Sequence, residues 1–528
     1  MMENQSAYFD RYWQYLNQIS PDSQPHHFPN LKTALETTAW EDPQSALDFN
    51  NHAVIALIEA EQAEDLASRE LYLDMAFSTL ADSPAHPLGA AHLALLHHLI
   101  GDTETASQIA FATLLNLLQP LNTSDEKIPP GLVYLPPDSH RLIEEQSELM
   151  EQLLKSEDAL QQSMLLLGEV LWRSHPIFYN SFGLRLLNLA VQLLPESPAV
   201  NLQLGIANLT NQQEEGLLFL HRARQLLPNH PAIIQALYLA YRDLGQSVAA
   251  QFWLNLAQNF HQKYPEDPSW QWGQFDLDSP ITYVPFEDKF LLAVEASFRS
   301  IVTLVLVGAG SWFEAEMEFW QDWLKPGMTV IDVGANVGVY TFSAAEKVGT
   351  EGRVLAIEPF SGCVHCLEET CRINQIDWVT VCAGAASDRN GIARLSLHAA
   401  SELNELITDD NSEIDPDTVE EVTCFSLDSL VEQENLSQVD FLKIDAEGHE
   451  VAVLSGSELL LQTFSPVILY ENIAGTQGAN LPVAEFLQAR GYRLFYYQPY
   501  LKKLHPVDSM ETLFNKLNII ALPPGQLI

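Results

Sequence analysis

Through the first 120 positions apolar residues recur at three- and four-residue spacing, with polar and acidic residues between them. The runs ALDFNNHAVIALIEAEQ, HPLGAAHLALLHHLIGD and TETASQIAFATLLNLLQP each carry an apolar stripe that must be buried on a neighbour. This predicts helices joined by short turns over residues 1-120. Residues 121-139 contain four prolines, which break helices and favour extended chain, so a linker or long loop is expected there. Helical periodicity resumes at 140 and persists to 265. Within it, Leu193-Leu194-Pro195 and Leu226-Leu227-Pro228 recur at an offset of 33 residues, each followed by a Pro-Ala step at Pro198 and Pro231. The segments between and after these steps are amphipathic, which predicts stacked helical hairpins. Periodicity is lost in the Pro- and aromatic-rich stretch around 266-300, a connecting region. From 301 to 528 the pattern changes to short apolar runs that end in glycine or acidic residues and precede amphipathic helices. That alternation predicts an α/β domain with a mostly parallel sheet.

The chain is 528 residues long and 47% hydrophobic, enough for two or three domains with substantial cores. Its 70 acidic and 26 basic residues give a formal charge of -44, which repels phosphate backbones and anionic lipid headgroups. Nucleic acid is therefore not expected as a partner. No secretory signal is visible at the start. The most apolar run, Ile301-Gly308, is far shorter than the roughly 20 residues of a membrane span. A cytoplasmic location is the expectation. All five cysteines fall in the C-terminal half. Cys363, Cys366 and Cys371 share one helix face, a spacing that fits burial against a sheet rather than a metal site.

The chemistry concentrates after position 328. TVIDV at 329-333 reads as a buried strand. It is followed by the Gly-rich turn Gly334-Ala335-Asn336-Val337-Gly338 and a helix. Strand, tight turn and helix N-terminus together form a ligand cradle. Asp332 ends the first strand, and Glu358 ends the second, where a carboxylate can accept both ribose hydroxyls. A dinucleotide would need a second glycine where Asn336 stands. S-adenosylmethionine, which has no phosphates, fits the pattern better. Asp388, after the third strand, is placed either to receive an adenine amino group or to cap a turn, and the small Ala385 and Ala386 would leave room for the ring. The fourth strand ends in Asp445-Ala446-Glu447-Gly448-His449-Glu450 and the fifth in Glu471. Ligands of open parallel sheets sit outside these strand ends. His449, Asp445 or Glu471 is placed to take a proton from an acceptor, with Glu447 beside them. The alternative for His449 is to cap the following helix or to pair with a carboxylate. No closed set of metal ligands is evident, although metal assistance stays open. The acidic segment Arg389-Thr423 either overhangs the acceptor pocket or is a solvated loop.

Two resemblances add to this reading. The 33-residue repeat resembles tetratricopeptide repeats, with Leu204, Ala223 and Pro228 near that motif's positions and Gly205 one place off. Such a scaffold is either a binding surface for a partner or substrate, or a structural cap or dimerisation element. The blocks PGMTVIDVGANVGVYT, IEP, FSLDSL, VDFLKIDAEGHEVAVLSG, VILYEN and NIIALP resemble the FkbM family of methyltransferases over about residues 300-524. This implies a Rossmann-like class I fold with a seven-stranded sheet. S-adenosyl-L-methionine is then expected on Asp332, Gly334, Asn336, Gly338 and Glu358. The resemblance also implies O-methylation of a sugar, glycan or glycosylated small molecule. The alternatives are a protein methyltransferase whose repeats hold the acceptor, and a scaffold that retains an inactive fold.

Overall fold

The computed structural model describes residues 2–21, 28–81, 86–118, 128–136, 146–174, 181–287, 289–407, 418–473, 479–514 and 516–526. The chain forms two compact units, Met1–Ile233 and Ile234–Ile528.

The first unit is helical among its described residues. Ala46–Gln62 packs on Leu66–Ala81, Pro87–Leu99 on Thr103–Leu118, Ala159–Arg173 on Ser181–Leu193, and Pro198–Thr210 on Gly216–Leu226. Local chemistry sets the starts. Ser45 and Asp48 form a reciprocal capping box. Ser197 caps the helix that Pro198 opens, because proline's missing N–H costs nothing in a first turn.

The proline-rich stretch carries more structure than its composition predicts. Leu132, Val133, Tyr134 and Leu135 are fully buried although they form no helix or strand. Buried backbone must find partners, and side chains supply them. Tyr12 Oη donates to Val133 O and accepts from Val133 N. Tyr15 Oη does the same for Leu135. The Gln162 amide pairs with Gly131 N and O. Asn50, Asn51 and His92 take Leu132 O, Leu132 N and Tyr134 N. The rest of the predicted linker, 121–127 and 137–139, lies outside the described residues. Among them no helix is long and apolar enough to cross a membrane.

Among its described residues the second unit contains fourteen strands: β1 (Ile281–Phe286), β2 (Phe290–Glu295), β3 (Thr329–Val333), β4 (Arg353–Glu358), β5 (Val379–Ala383), β6 (Ala385–Ala386), β7 (Gly391–Ser396), β8 (Glu405–Leu406), β9 (Val419–Phe425), β10 (Phe441–Ile444), β11 (Val467–Glu471), β12 (Arg493–Gln498), β13 (Lys503–Pro506) and β14 (Asn518–Leu522). The main sheet has the order β13-β12-β14-β11-β10-β3-β4-β5. It has eight strands where seven were expected, because the chain turns back after β12 and adds β13 at the edge. From β5 to β11 all pairings are parallel. β14 inserts antiparallel between β11 and β12, and β13 is antiparallel to β12. The central strands are buried on both faces, which is why they read as continuous apolar runs.

Two local readings change. The helix expected after the fourth strand is two short ones, Glu450–Ser455 and Glu458–Phe464. A Cβ on Gly456, at the break, would lie 2.0 Å from Ser387 O, so the chain passes there without a side chain. The segment 389–423 supplies β7, β8 and most of β9, which join β6 in a separate four-stranded sheet. Residues 408–417 of it lie outside the described residues. Ala385 and Ala386 are buried in that sheet, paired with Cys424 and Phe425.

Candidate active site

Parallel register places the ends of β3, β4, β10 and β11 side by side: Asp332 pairs with Lys443 and Ala356, and Ile444 with Val333 and Tyr470. The turns leaving these strands form one rim. In the first, Gly334 has φ +74° and Asn336 φ +50°. A Cβ at Gly334 would stand 1.7 Å from Asp445 O, so only glycine lets the β3 and β10 turns touch. Gly338, also left-handed, opens the helix Val339–Val348.

Asp332 is fully buried. Its Oδ2 accepts from Thr341 Oγ1 at 2.6 Å, and its Oδ1 has no hydrogen-bond donor. Burial raises its pKa, partly offset by Lys443, whose Nζ is 4.0 Å away. Glu358 accepts Asn336 N at 2.9 Å and Phe360 N at 2.8 Å, so it clamps the Gly-rich turn. Burial pushes its pKa to about 7 despite those two bonds. Asp388 lies apart from this buried set. It is exposed, beside Ser387 and Arg389.

The carboxylates that follow β10 and end β11 converge. Asp445, Glu447 and Glu471 are half-buried, with one oxygen from each inside a 4.8 Å cluster. Three carboxylates this close cannot all carry charge cheaply. Burial, reinforced by Asp445, pushes Glu447 to about 8 and Glu471 to about 11. Glu405 of β8 adds to the field on Glu447, so the second sheet reaches this rim. Asp445 instead pairs with Lys443 Nζ at 3.0 Å. Environments that separate neighbouring carboxylates into neutral and charged forms are how acid and base roles divide.

His449 is turned elsewhere: its Nε2 is 3.0 Å from Ser387 Oγ, and burial lowers its pKa. Glu450 is 1% exposed, accepts Ala446 N and Gly448 N, and receives Asn480 Nδ2. It holds the turn that presents Asp445 and Glu447.

Two participants escaped the sequence reading. Lys443 left a signal, a lysine inside the otherwise apolar strand FLKI. Glu314 left none. It precedes the helix Glu316–Trp323, yet its Oε2 receives Tyr340 Oη at 2.6 Å and Asn518 Nδ2 at 2.9 Å. Asn518 lies opposite Glu471 in the sheet.

The buried Asp332, the Glu358 clamp and the glycine-rich turn lie together at the ends of β3 and β4. Residues 332–494 match the methyltransferase FkbM domain, and the chain carries an FkbM-family methyltransferase domain there. Solved structures that align with the chain include methyltransferase FkbM from Methylobacillus flagellatus KT, at 15% identity and TM-score 0.25, with 42% of this chain and 54% of that one covered. The chain thus spans about half the length of that relative. A SAM-dependent methyltransferase from Aquifex aeolicus aligns at 16% identity and TM-score 0.23, covering 39% of this chain and 88% of that one. The O-methyltransferase from Bacillus cereus in complex with SAH aligns at 15% identity and TM-score 0.24, covering 39% and 80%. No functionally curated protein matches the chain.

Proposed function

We propose that the second unit binds S-adenosylmethionine and methylates a hydroxyl of a neutral sugar, glycan or glycosylated small molecule. The observation that carries this is the division of charge at one rim. Asp445 is ion-paired, while Glu447 and Glu471 are pushed to about 8 and 11 within 4.8 Å of it.

Glu358, Asp332 and the turn Gly334–Gly338 would hold the cofactor, with Asp388 at its outer edge. When bound, the cofactor supplies the methyl group as an electrophilic sulfonium substituent. Asp445 accepts the hydroxyl proton. Protonated Glu471 and Glu447 donate hydrogen bonds that orient neighbouring oxygens of the acceptor. His449 holds Ser387 and the turn beside it. A polyol meets this donor and acceptor set, whereas a phosphate or sulfate would meet Asp445, Glu314 and Glu405.

A polypeptide acceptor held by the helical unit is the second reading. It is less favoured on one observation: Tyr12, Tyr15, Asn50, His92 and Gln162 are already occupied by backbone groups of residues 131–135.

The test is calorimetric titration of S-adenosylmethionine into the full chain. Transfer of labelled methyl to neutral, sulfated and phosphorylated glycans and to polypeptides would follow. One site per chain and label on neutral glycans support the reading. Binding without turnover on any acceptor favours a scaffold. Label on polypeptide favours the second reading.

A further inference from the structure

β10 runs through the middle of the main sheet, between β3 and β11. Its side chains alternate. Leu442 and Ile444 join the core of one face, and Phe441 packs against Trp320 and Phe319 on the other. Lys443 therefore belongs to the Phe441 face, and its residue is 4% exposed. Its Nζ lies 4.7 Å from the centre of the Tyr340 ring, 3.0 Å from Asp445 Oδ2 and 4.0 Å from Asp332 Oδ1. An ammonium buried at the centre of a sheet is costly unless neighbouring charges need it.

Those neighbours come from several elements. Asp332 ends β3, Asp445 follows β10, and Tyr340 comes from the helix Val339–Val348. Glu314 comes from the segment before Glu316–Trp323. Glu447 and Glu471 stand behind Asp445. Among these the lysine is the sole cation.

We infer that Lys443 is a positioning residue that sets one positive charge between Asp445 and Asp332 and holds Asp445 at the acceptor rim, joining the cofactor strand to the site of proton removal. This rests on the methyltransferase reading above. Burial works against the ammonium, but Asp445, Asp332 and Glu314 outweigh it and raise its pKa, so it stays protonated throughout the working range. Replaced by a neutral side chain, Lys443 would leave two carboxylates facing each other without a cation. One would take up a proton, and a cationic cofactor would expel that proton on binding.

The experiment is calorimetric titration of S-adenosylmethionine in two buffers of different ionisation heat, from pH 6 to 8. Wild type, Lys443→Met, Lys443→Arg and Lys443→Met/Asp445→Asn would be compared as full chains. Lys443→Met is expected to release about one proton more than wild type, and its affinity to rise up to about tenfold more per pH unit. Arginine should restore the wild-type proton count, and the double variant should lose the extra proton. A folded Lys443→Met chain with the wild-type proton count and pH slope overturns the inference. If Lys443→Met does not fold, a folded, cofactor-binding double variant still supports it, and a double variant that also fails to fold overturns it. No binding by wild type would instead sink the methyltransferase reading itself.

Discussion

Gly334 and Asp445 meet so closely that a Cβ on the glycine would lie 1.7 Å from the aspartate's carbonyl oxygen. The contact ties the turn after β3 to the turn after β10, so the two turns share one wall. Gly334 also has φ +74°, a region costly for other residues.

Gly334→Ala is therefore expected to force the two turns apart. It should abolish measurable S-adenosylmethionine binding and destabilise the second unit by about 2 kcal/mol or more. Calorimetry and chemical denaturation read the two effects separately.

Glu358 offers a test tied to pH. Its pKa is pushed to about 7 by burial. If the carboxylate receives the cofactor's hydroxyls, affinity falls as pH drops below about 7. Glu358→Gln keeps the shape but brings an N–H where an acceptor is needed. It should bind at least about tenfold more weakly at pH 8, a loss of about 1.4 kcal/mol. A titration series from pH 6 to 8 on both proteins decides it.

The raised carboxylates also set the stability profile. Glu358 near 7, Glu316 near 7, Glu447 near 8 and Glu471 near 11 hold protons in the folded chain that the unfolded chain, near 4.5, has released. Their contribution is fully present below about 4.5 and is lost as pH rises through the folded values. The second unit should therefore melt several degrees lower at pH 8 than at pH 5.5. Glu447→Gln should narrow that gap, and differential scanning calorimetry at the two pH values measures it.

Tyr12→Phe addresses the helical unit alone. It removes the hydroxyl that satisfies both Val133 O and Val133 N, leaving two buried backbone groups unpaired. A loss of about 1–3 kcal/mol is expected. Cofactor affinity should be unchanged, and urea denaturation followed by titration tests both statements.

The alternation of short apolar strands with glycine-rich and acidic turns determined the α/β character of the second half. It also located Asp332, Gly334, Glu358, Asp445 and Glu471 at strand ends, because turn geometry and strand periodicity are local properties. The 33-residue Pro-Ala recurrence likewise located helix starts, since a first-turn proline acts within its own helix. Lys443 was legible only as an anomaly in an apolar run, its role hidden because its partners lie on other elements. Tertiary structure decided what depends on distant chain segments meeting. It inserted β14 between β11 and β12 and added β13 as an eighth strand. It placed Val133 against Tyr12 and Gly131 against Gln162, 121 and 31 residues away in sequence. It brought Glu314 to Tyr340 and Asn518. It turned His449 toward Ser387, 62 positions earlier. Spacing along a chain encodes which face a residue occupies. Which carboxylate is buried and which has a cation 3.0 Å away is settled only once the sheet has formed.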